Sequence, residues 1–548
     1  MNPLIKKFTL TLTLLVTSSL LLVSCEQSDI EKEAYSNTLI YCSEGSPDSF
    51  DPHTVTIGTA FDASARQVYN RLVEFKPGTV EIQPSLAERW KIDTTGTLYT
   101  FYLRKKVAFH SNEAFTPSRF MTADDVLFSF ERQKNPNHPY HRVGNRDFAY
   151  FNFQGLNRLI QTINVIDQHT IQFQLSRPYS PFLSVMAMEF TSIMSAEYGQ
   201  KLIELGRKGD IIQKPIGTGP FRFIRYQADA YIRYKRHEQY WKGAESLENL
   251  VFAITPDPSL RFARMTAGEC DVMSNPLPIQ IKTLTQQSNI NVLSQRGLNI
   301  AYWAFNTRKP PLDNLDVRRA LNHAINREAI LKAVYFGLAE KARNPIPPNM
   351  WSHLDDIPEY EYNPQLARNL LYKAGYPNGF EIDIWTFPEQ RAYNPNSVKT
   401  AELIQQDLKD IGVRAKIITY EVGTFLQKVK LGEHQTALQG WIADNGDPDN
   451  FMSSLLSCEA TIPGQNSAFW CHEEFDAIIK DAQAISNLKQ RTLLYQRAQK
   501  LFKSQAPWLT IAHTRQNIIV NKRVKNLNLS LSGGIFFSGV HLDTEESK

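Results

Sequence analysis

A cluster of carboxylates follows the apolar stretch 436–442: Asp444-Asn445-Gly446-Asp447-Pro448-Asp449. Alternating acids can hold calcium, but the glycine and the distal glutamate of a calcium loop are misplaced here. Acids just past a strand end also stand where open α/β sheets bind their ligands. Patterns for catalysis are missing from the sequence. There is no G-x-S-x-G, no Walker loop and no H-E-x-x-H, since His472-Glu473-Glu474 lacks the second histidine. The turn Ile216-Gly217-Thr218-Gly219-Pro220-Phe221 lacks the Gly-Lys-Ser/Thr ending of a phosphate loop and reads as architecture. His110, His323 and His513 show no ligand spacing and read as structural. These residues favour binding over catalysis, with no cofactor and no metal expected.

Cysteine chemistry is the second signal. Lys6 and Lys7 precede an apolar run from Phe8 to Val23, which ends in Leu22-Val23-Ser24-Cys25 and turns polar at Glu26. A largely apolar stretch of sixteen residues is short for a spanning helix of roughly 20, and the charged start with a small residue before the cut reads as a secretory signal over 1–24. The cysteine after the cut resembles the lipobox of bacterial lipoproteins, in which Cys25 would be lipidated, with 25–36 as a polar tether. Export leaves Cys42, Cys270, Cys458 and Cys471, an even number in an oxidising compartment. Cys458 and Cys471 flank a loop with Pro463, Gly464 and Asn466, so the local pairing is geometrically cheapest and leaves Cys42 with Cys270. A zinc site is the rival, but no CxxC or Cys/His spacing supports it.

The elements that must position these groups change in texture along the chain. The strands 37–42, 98–103 and 170–175 and a helix opened by Thr122, with Asp125 in the capping-box position, make the first half mixed and strand-rich. Beyond about residue 297, helices and strands alternate. Asp316 is expected to cap one helix running to Gly337, and Asn363-Pro364 to start another closed by Gly375. Strand 381–387, helix 401–411, strand 413–420 and strand 436–442 follow. This is an α/β pattern. The chain has 548 residues, 42% of them hydrophobic and 21% charged, which suits several buried cores and excludes wholesale disorder. A net charge of +4, or +2 without Lys6 and Lys7, gives a nucleic-acid partner no support.

Several blocks then carry a resemblance: YCSEGSPDSFDP at 41–52, YNRLVEF at 69–75, ADDVLFSFERQ at 123–133 and PIGTGPF at 215–221, followed by GLNIAYWAFN at 297–306, QRAYNPN at 390–396, GEHQT at 432–436 and GWIADNGDPDNF at 440–451. Together they are similar to the extracellular solute-binding proteins of family 5, the dipeptide/oligopeptide class serving ABC importers, and most to its dipeptide-binding branch. Lys106 and Ser111 depart from the family signature in a structural hairpin. The resemblance implies a two-lobed, periplasmic-binding-protein-like α/β fold that closes by a hinge, with a strand-rich subdomain enlarging the first lobe. Residues 37–296 plus 516–548 would form lobe I and 297–515 lobe II, joined by crossings at about 297–306 and 509–515. It implies that Asp444 meets a ligand ammonium and Arg391 its carboxylate. The backbone around Gly58, Thr59 and Ala60, and around Gly440 and Trp441, would pair with the peptide as a strand would. The implied partners are a short peptide and an inner-membrane permease, with the protein a monomer held to the membrane through its lipid. Relatives of the same branch bind haem and can keep the Arg391 and Asp444 motifs, so haem is the alternative ligand.

Overall fold

The computed structural model describes residues 37–543 apart from Pro463, so the leader, Cys25 and the tether lie outside the described residues. Thr38–Ser43 pairs in parallel with Asn249–Ile254 on one side and with Val272–Ser274 on the other. Tyr231–Arg236 and Phe221–Gln227 extend that sheet antiparallel. A separate four-stranded antiparallel sheet, ordered Ala87–Ile92, Leu98–Leu103, Thr170–Leu175 and Ile160–Asp167, forms the strand-rich subdomain. Its helix Ala123–Lys134 begins as expected, with the Asp125 carboxylate accepting the Thr122 N–H at 2.8 Å. Among the described residues, no helix is long and apolar enough to cross a membrane.

The second half is built on Asn299–Phe305, every residue of which is buried. Its period-2 alternation sends Ala301, Trp303 and Phe305 into one core and Ile300, Tyr302 and Ala304 into another. Helices Leu315–Ala324, Arg327–Tyr335, Pro364–Lys373 and Ser397–Lys409 contribute to the first core. Helices Asp449–Leu456, Glu473–Ala484 and Leu488–Gln505 contribute to the second. Glu381–Thr386 pairs in parallel with Arg414–Thr419, and Thr436–Ile442 runs antiparallel to Asn299–Phe305.

The strand Trp508–Asn521 belongs to both halves. Its first residues pair with Asn299–Phe305 and Ala339–Lys341, and from Arg515 onward it pairs with Ile290–Arg296 and Val272–Ser274. The change of partner falls between Thr514 and Arg515 on this strand and between Arg296 and Asn299 on the other. The crossings are therefore shorter than 297–306 and 509–515, most of which lies within the second sheet. Asn299 clasps the crossing point: its Oδ1 accepts from the Thr514 N–H at 2.7 Å and its Nδ2 donates to the Thr514 carbonyl at 3.0 Å.

Two expectations are corrected locally. The single helix from Asp316 to Gly337 is two, because Ile325 is extended and the Asn326 side chain caps a new start by accepting from the Ala329 N–H. The first of the pair is capped by Asn314, whose Oδ1 accepts from Asp316 N–H at 2.8 Å. The helix expected at 401–411 begins a turn earlier, at Ser397, because Asn396 caps it.

Both disulfides join the expected cysteines. Cys42 and Cys270, 228 residues apart, have Cα atoms 5.8 Å from each other, and Cys458 and Cys471 have theirs 4.5 Å apart. In the chain-entropy picture the long loop contributes about 5 kcal/mol and the short one about 3 kcal/mol. Replacing Cys42 and Cys270 by serine should thus lower the urea midpoint further than replacing Cys458 and Cys471. Equal midpoints for the two double variants would contradict this.

Candidate functional site

A cavity of about 530 Å³ lies between the two halves. Its floor is the strand Thr436–Ile442. On one edge this strand pairs with Asn299–Phe305 throughout, but on the other it pairs with Glu381–Thr386 only at Thr436 and Ala437. From Leu438 to Ile442 the second edge has no strand partner among the described residues. Gly440 is required there because the Tyr393 ring lies against it, and a Cβ would stand 2.1 Å from Tyr393 Cδ2. Trp441 is held by its Nε1, which donates to Asn450 Oδ1 at 2.8 Å.

The three carboxylates beyond this strand divide by environment. Asp447 is ion-paired with the buried Arg491 at 2.8 Å. Asp449 accepts from Gln483 at 3.0 Å and from Tyr179 at 3.2 Å. Both hold the fold. Asp444 lines the cavity, and its side-chain partners among the described residues are neutral: Tyr150 donates to Oδ1 at 3.1 Å and Asn450 Nδ2 to Oδ2 at 3.2 Å. Burial pushes its pKa up to about 6, with Glu189 nearby adding to the rise, although the bonds from Asn450 and Tyr150 oppose it. A half-buried carboxylate with no ion pair among the described residues is poised for a cationic group.

Arg391 lines the same cavity. It sits in a closed turn in which its N–H donates to the Asn394 carbonyl at 3.1 Å and its carbonyl accepts from Asn394 at 3.0 Å. Its guanidinium lies 6.0 Å from the centre of the Phe387 ring and makes no ion pair among the described residues. The turn is tethered to the crossing point, since the Thr514 hydroxyl donates to the Ala392 carbonyl at 2.8 Å.

Gly58, Gly440 and Trp441 thus share one cavity with Arg391 and Asp444. Gly58, Thr59 and Ala60 take a helical rather than an extended course. They open the short helix Gly58–Ala63, where the Ala60 N–H already bonds the Ile57 carbonyl at 3.1 Å. Thr59 is half-buried, and Ala60 is buried against Val55, Phe61 and Ala65. Sequence reasoning also passed over four residues that shape the site. Asn450 and Tyr393 fall inside or beside quoted blocks, but nothing local marks them. Tyr150 and Glu189 reach the cavity from the first half, and only folding brings them there. Glu189 is held by Arg66 at 2.7 Å, which also pairs with Asp62 at 2.7 Å. Across the cleft, Tyr150 to Asp444, Ser180 N–H to the Gln483 carbonyl at 2.7 Å and Arg158 to Glu459 at 2.7 Å join the halves in a closed arrangement.

The profile described as Bacterial extracellular solute-binding proteins, family 5 Middle, matches residues 81–462. The chain belongs to this family. It is 46% identical over 506 residues to the dipeptide-binding protein of Escherichia coli K12, covering 92% of this chain and 95% of that protein. Heme-binding protein A of Haemophilus influenzae is 42% identical over 546 residues, covering 98% of this chain and 100% of that one. Among solved structures, the dipeptide binding protein of Pseudoalteromonas sp. SM9913 in complex with Met-Leu superposes with a TM-score of 0.83 at 41% identity, covering 92% of this chain and 100% of that one. The family-5 architecture of two lobes around a cleft accounts for the shared strand and the cavity.

The elevated pKa of Asp444 has a measurable consequence for this solute-binding protein. A ligand ammonium beside the carboxylate favours its charged form, so the bound pKa lies below the free value of about 6. The liganded protein then holds fewer protons, and affinity should fall as pH drops below about 6. Near pH 6, titration calorimetry in buffers of different ionisation enthalpy should report proton release that Asp444→Asn abolishes. Proton uptake, or release unchanged in the variant, would refute the assignment.

Proposed function

We propose that this chain is the substrate-binding component of an ABC importer that captures short peptides, dipeptides foremost, and delivers them to an inner-membrane permease. The observation that carries the reading is a single cavity holding one unpaired carboxylate, Asp444, and one unpaired guanidinium, Arg391, beside an open strand edge. A dipeptide is a zwitterion with an extended backbone, and its three features match these three. Arg391 receives the carboxylate through a two-pronged guanidinium, and Asp444 accepts from the ammonium. Gly440 and Trp441 offer backbone groups to the peptide between them. The ligand's side chains are left to the cavity walls, which suits broad specificity. No step of bond making is required of the protein.

Closure is part of the proposal. Residues 37–296 with 516–548 form one lobe and 297–515 the other, and they turn about the Asn299–Thr514 clasp. Ligand groups held from both sides favour the closed state by their differential affinity. Export with lipidation of Cys25 belongs to the proposal as well, the anchored protein acting as a monomer at the periplasmic face of the membrane. Several acyl chains anchor firmly where one is marginal. Cys25→Ala should move the protein out of the detergent phase in a partition assay, and unchanged retention would remove the anchor from the reading.

Haem is the second reading, favoured by the match to Heme-binding protein A over 98% of this chain. Calorimetry separates the two. Acetylating the amine of a dipeptide, or amidating its carboxylate, should each weaken binding by about 2 to 5 kcal/mol, because the partner charge stays buried and unpaired. Asp444→Ala and Arg391→Ala should reproduce the respective losses. Blocked peptides that bind as tightly as free ones would reject the paired-charge reading. Haem binding that persists in both variants, with no dipeptide signal, would favour the second.

A further inference from the structure

A second cavity of about 170 Å³ adjoins the first, and Asp444, Glu189, Arg66 and Ser532 line both. Arg71 forms part of its wall. This residue is only 7% exposed, yet neither its Nε nor its Nη1 meets an acceptor among the described residues. The other charges of the wall, Asp444 apart, are accounted for. Arg66 holds Asp62 and Glu189, and Lys242 holds Glu74 at 2.6 Å. Lys76 pairs outward with Glu81 at 3.5 Å. The backbone beneath Arg71 is pinned on successive carbonyls: Asn70 accepts from Ile193 at 2.9 Å, Arg71 from Leu86 at 3.0 Å and Leu72 from Ala87 at 2.9 Å. A buried guanidinium on a fixed backbone, with donors unmet, is a built acceptor site.

Position decides what would fill it. A peptide's ammonium and its first side chain leave the same Cα. If the ammonium sits on Asp444, the first side chain is at the boundary of the two cavities. We infer that Arg71 is a specificity-determining residue, and that the second cavity selects peptides whose first residue carries a carboxylate. An acidic side chain supplies the acceptor that Arg71 lacks, with the charge assistance of an arginine–carboxylate pair. Glu74 is held by Lys242, and Glu189 bonds Arg66 while feeling the charge of Arg71 from a distance, so the Nε and Nη1 donors of Arg71 are still open to an added carboxylate. The inference rests on the peptide reading above and deepens it.

The test compares Asp-Leu, Asn-Leu and Leu-Leu by calorimetry on the native protein and on Arg71→Met, which keeps the length of the side chain without its donors. Asp-Leu should bind the native protein about tenfold more tightly than its neutral isostere Asn-Leu. In Arg71→Met that ratio should collapse to near one, while an unchanged circular dichroism spectrum and thermal midpoint report an intact fold. Arg71→Lys, which keeps the charge but not the fork, should give an intermediate ratio. Equal affinity for Asp-Leu and Asn-Leu in the native protein overturns the proposal, and so does a preference that survives Arg71→Met. Leu-Leu binding without an acidic preference removes this inference alone. Failure of all three peptides to bind removes the peptide reading with it.

Discussion

Everything in this molecule hangs on one strand that serves two sheets. Trp508–Asn521 gives its first half to the second lobe and its second half to the first, so neither sheet is complete without the other. Backbone groups at such a change of partner are exposed to the cost of being buried unbonded. Asn299 removes that cost by acting as donor and acceptor to the Thr514 backbone, and His513 Nδ1 meets the Asn299 carbonyl at 2.6 Å. Burial holds His513 down to about pKa 4, so it is neutral there and adds no charge to the crossing. The same Thr514 reaches the Ala392 carbonyl, which ties the Arg391 turn to the pivot. Under the proposed hinge closure, a rotation of the lobes carries the Arg391 turn with it.

Around that pivot, charge is distributed in two ways. Structural ions are paired and buried: Asp51 with Arg132, both with no side-chain exposure, and Asp447 with Arg491. Such pairs are costly to break, and each holds its own lobe together from within. At the cleft the reverse holds, since Asp444, Arg391 and Arg71 line cavities and make no ion pair among the described residues. In the proposed reading a ligand supplies the opposite charges. The mouth is sealed by neutral or backbone bonds such as Ser180 to Gln483, together with the exposed pair Arg158–Glu459, which is worth little by itself.

Much of the second lobe was legible because its signals are local. Asn363-Pro364, Gly375 and the alternation of 436–442 mark boundaries that the structure keeps. The errors there were also local: Asn314, Asn326 and Asn396 act as caps, and a side chain that can cap a helix or sit within a turn does not declare which. In the site, Asp444 stood out by its place after a strand, yet nothing in its sequence neighbourhood separated it from Asp447 and Asp449. The partners that separate them, Arg491, Gln483 and Tyr179, lie tens to hundreds of residues away.

The sequence by itself determined the α/β alternation, the two cysteine pairs and the family, because periodicity, spacing and ordered blocks survive in one dimension. Only the tertiary structure decided which acid is left without a cation, which glycine bears an aromatic ring, and that Arg71 is buried with its donors unmet. Those properties belong to the space between segments: a charge is paired or unpaired, and a strand edge open or covered, only once distant parts of the chain have been packed against it.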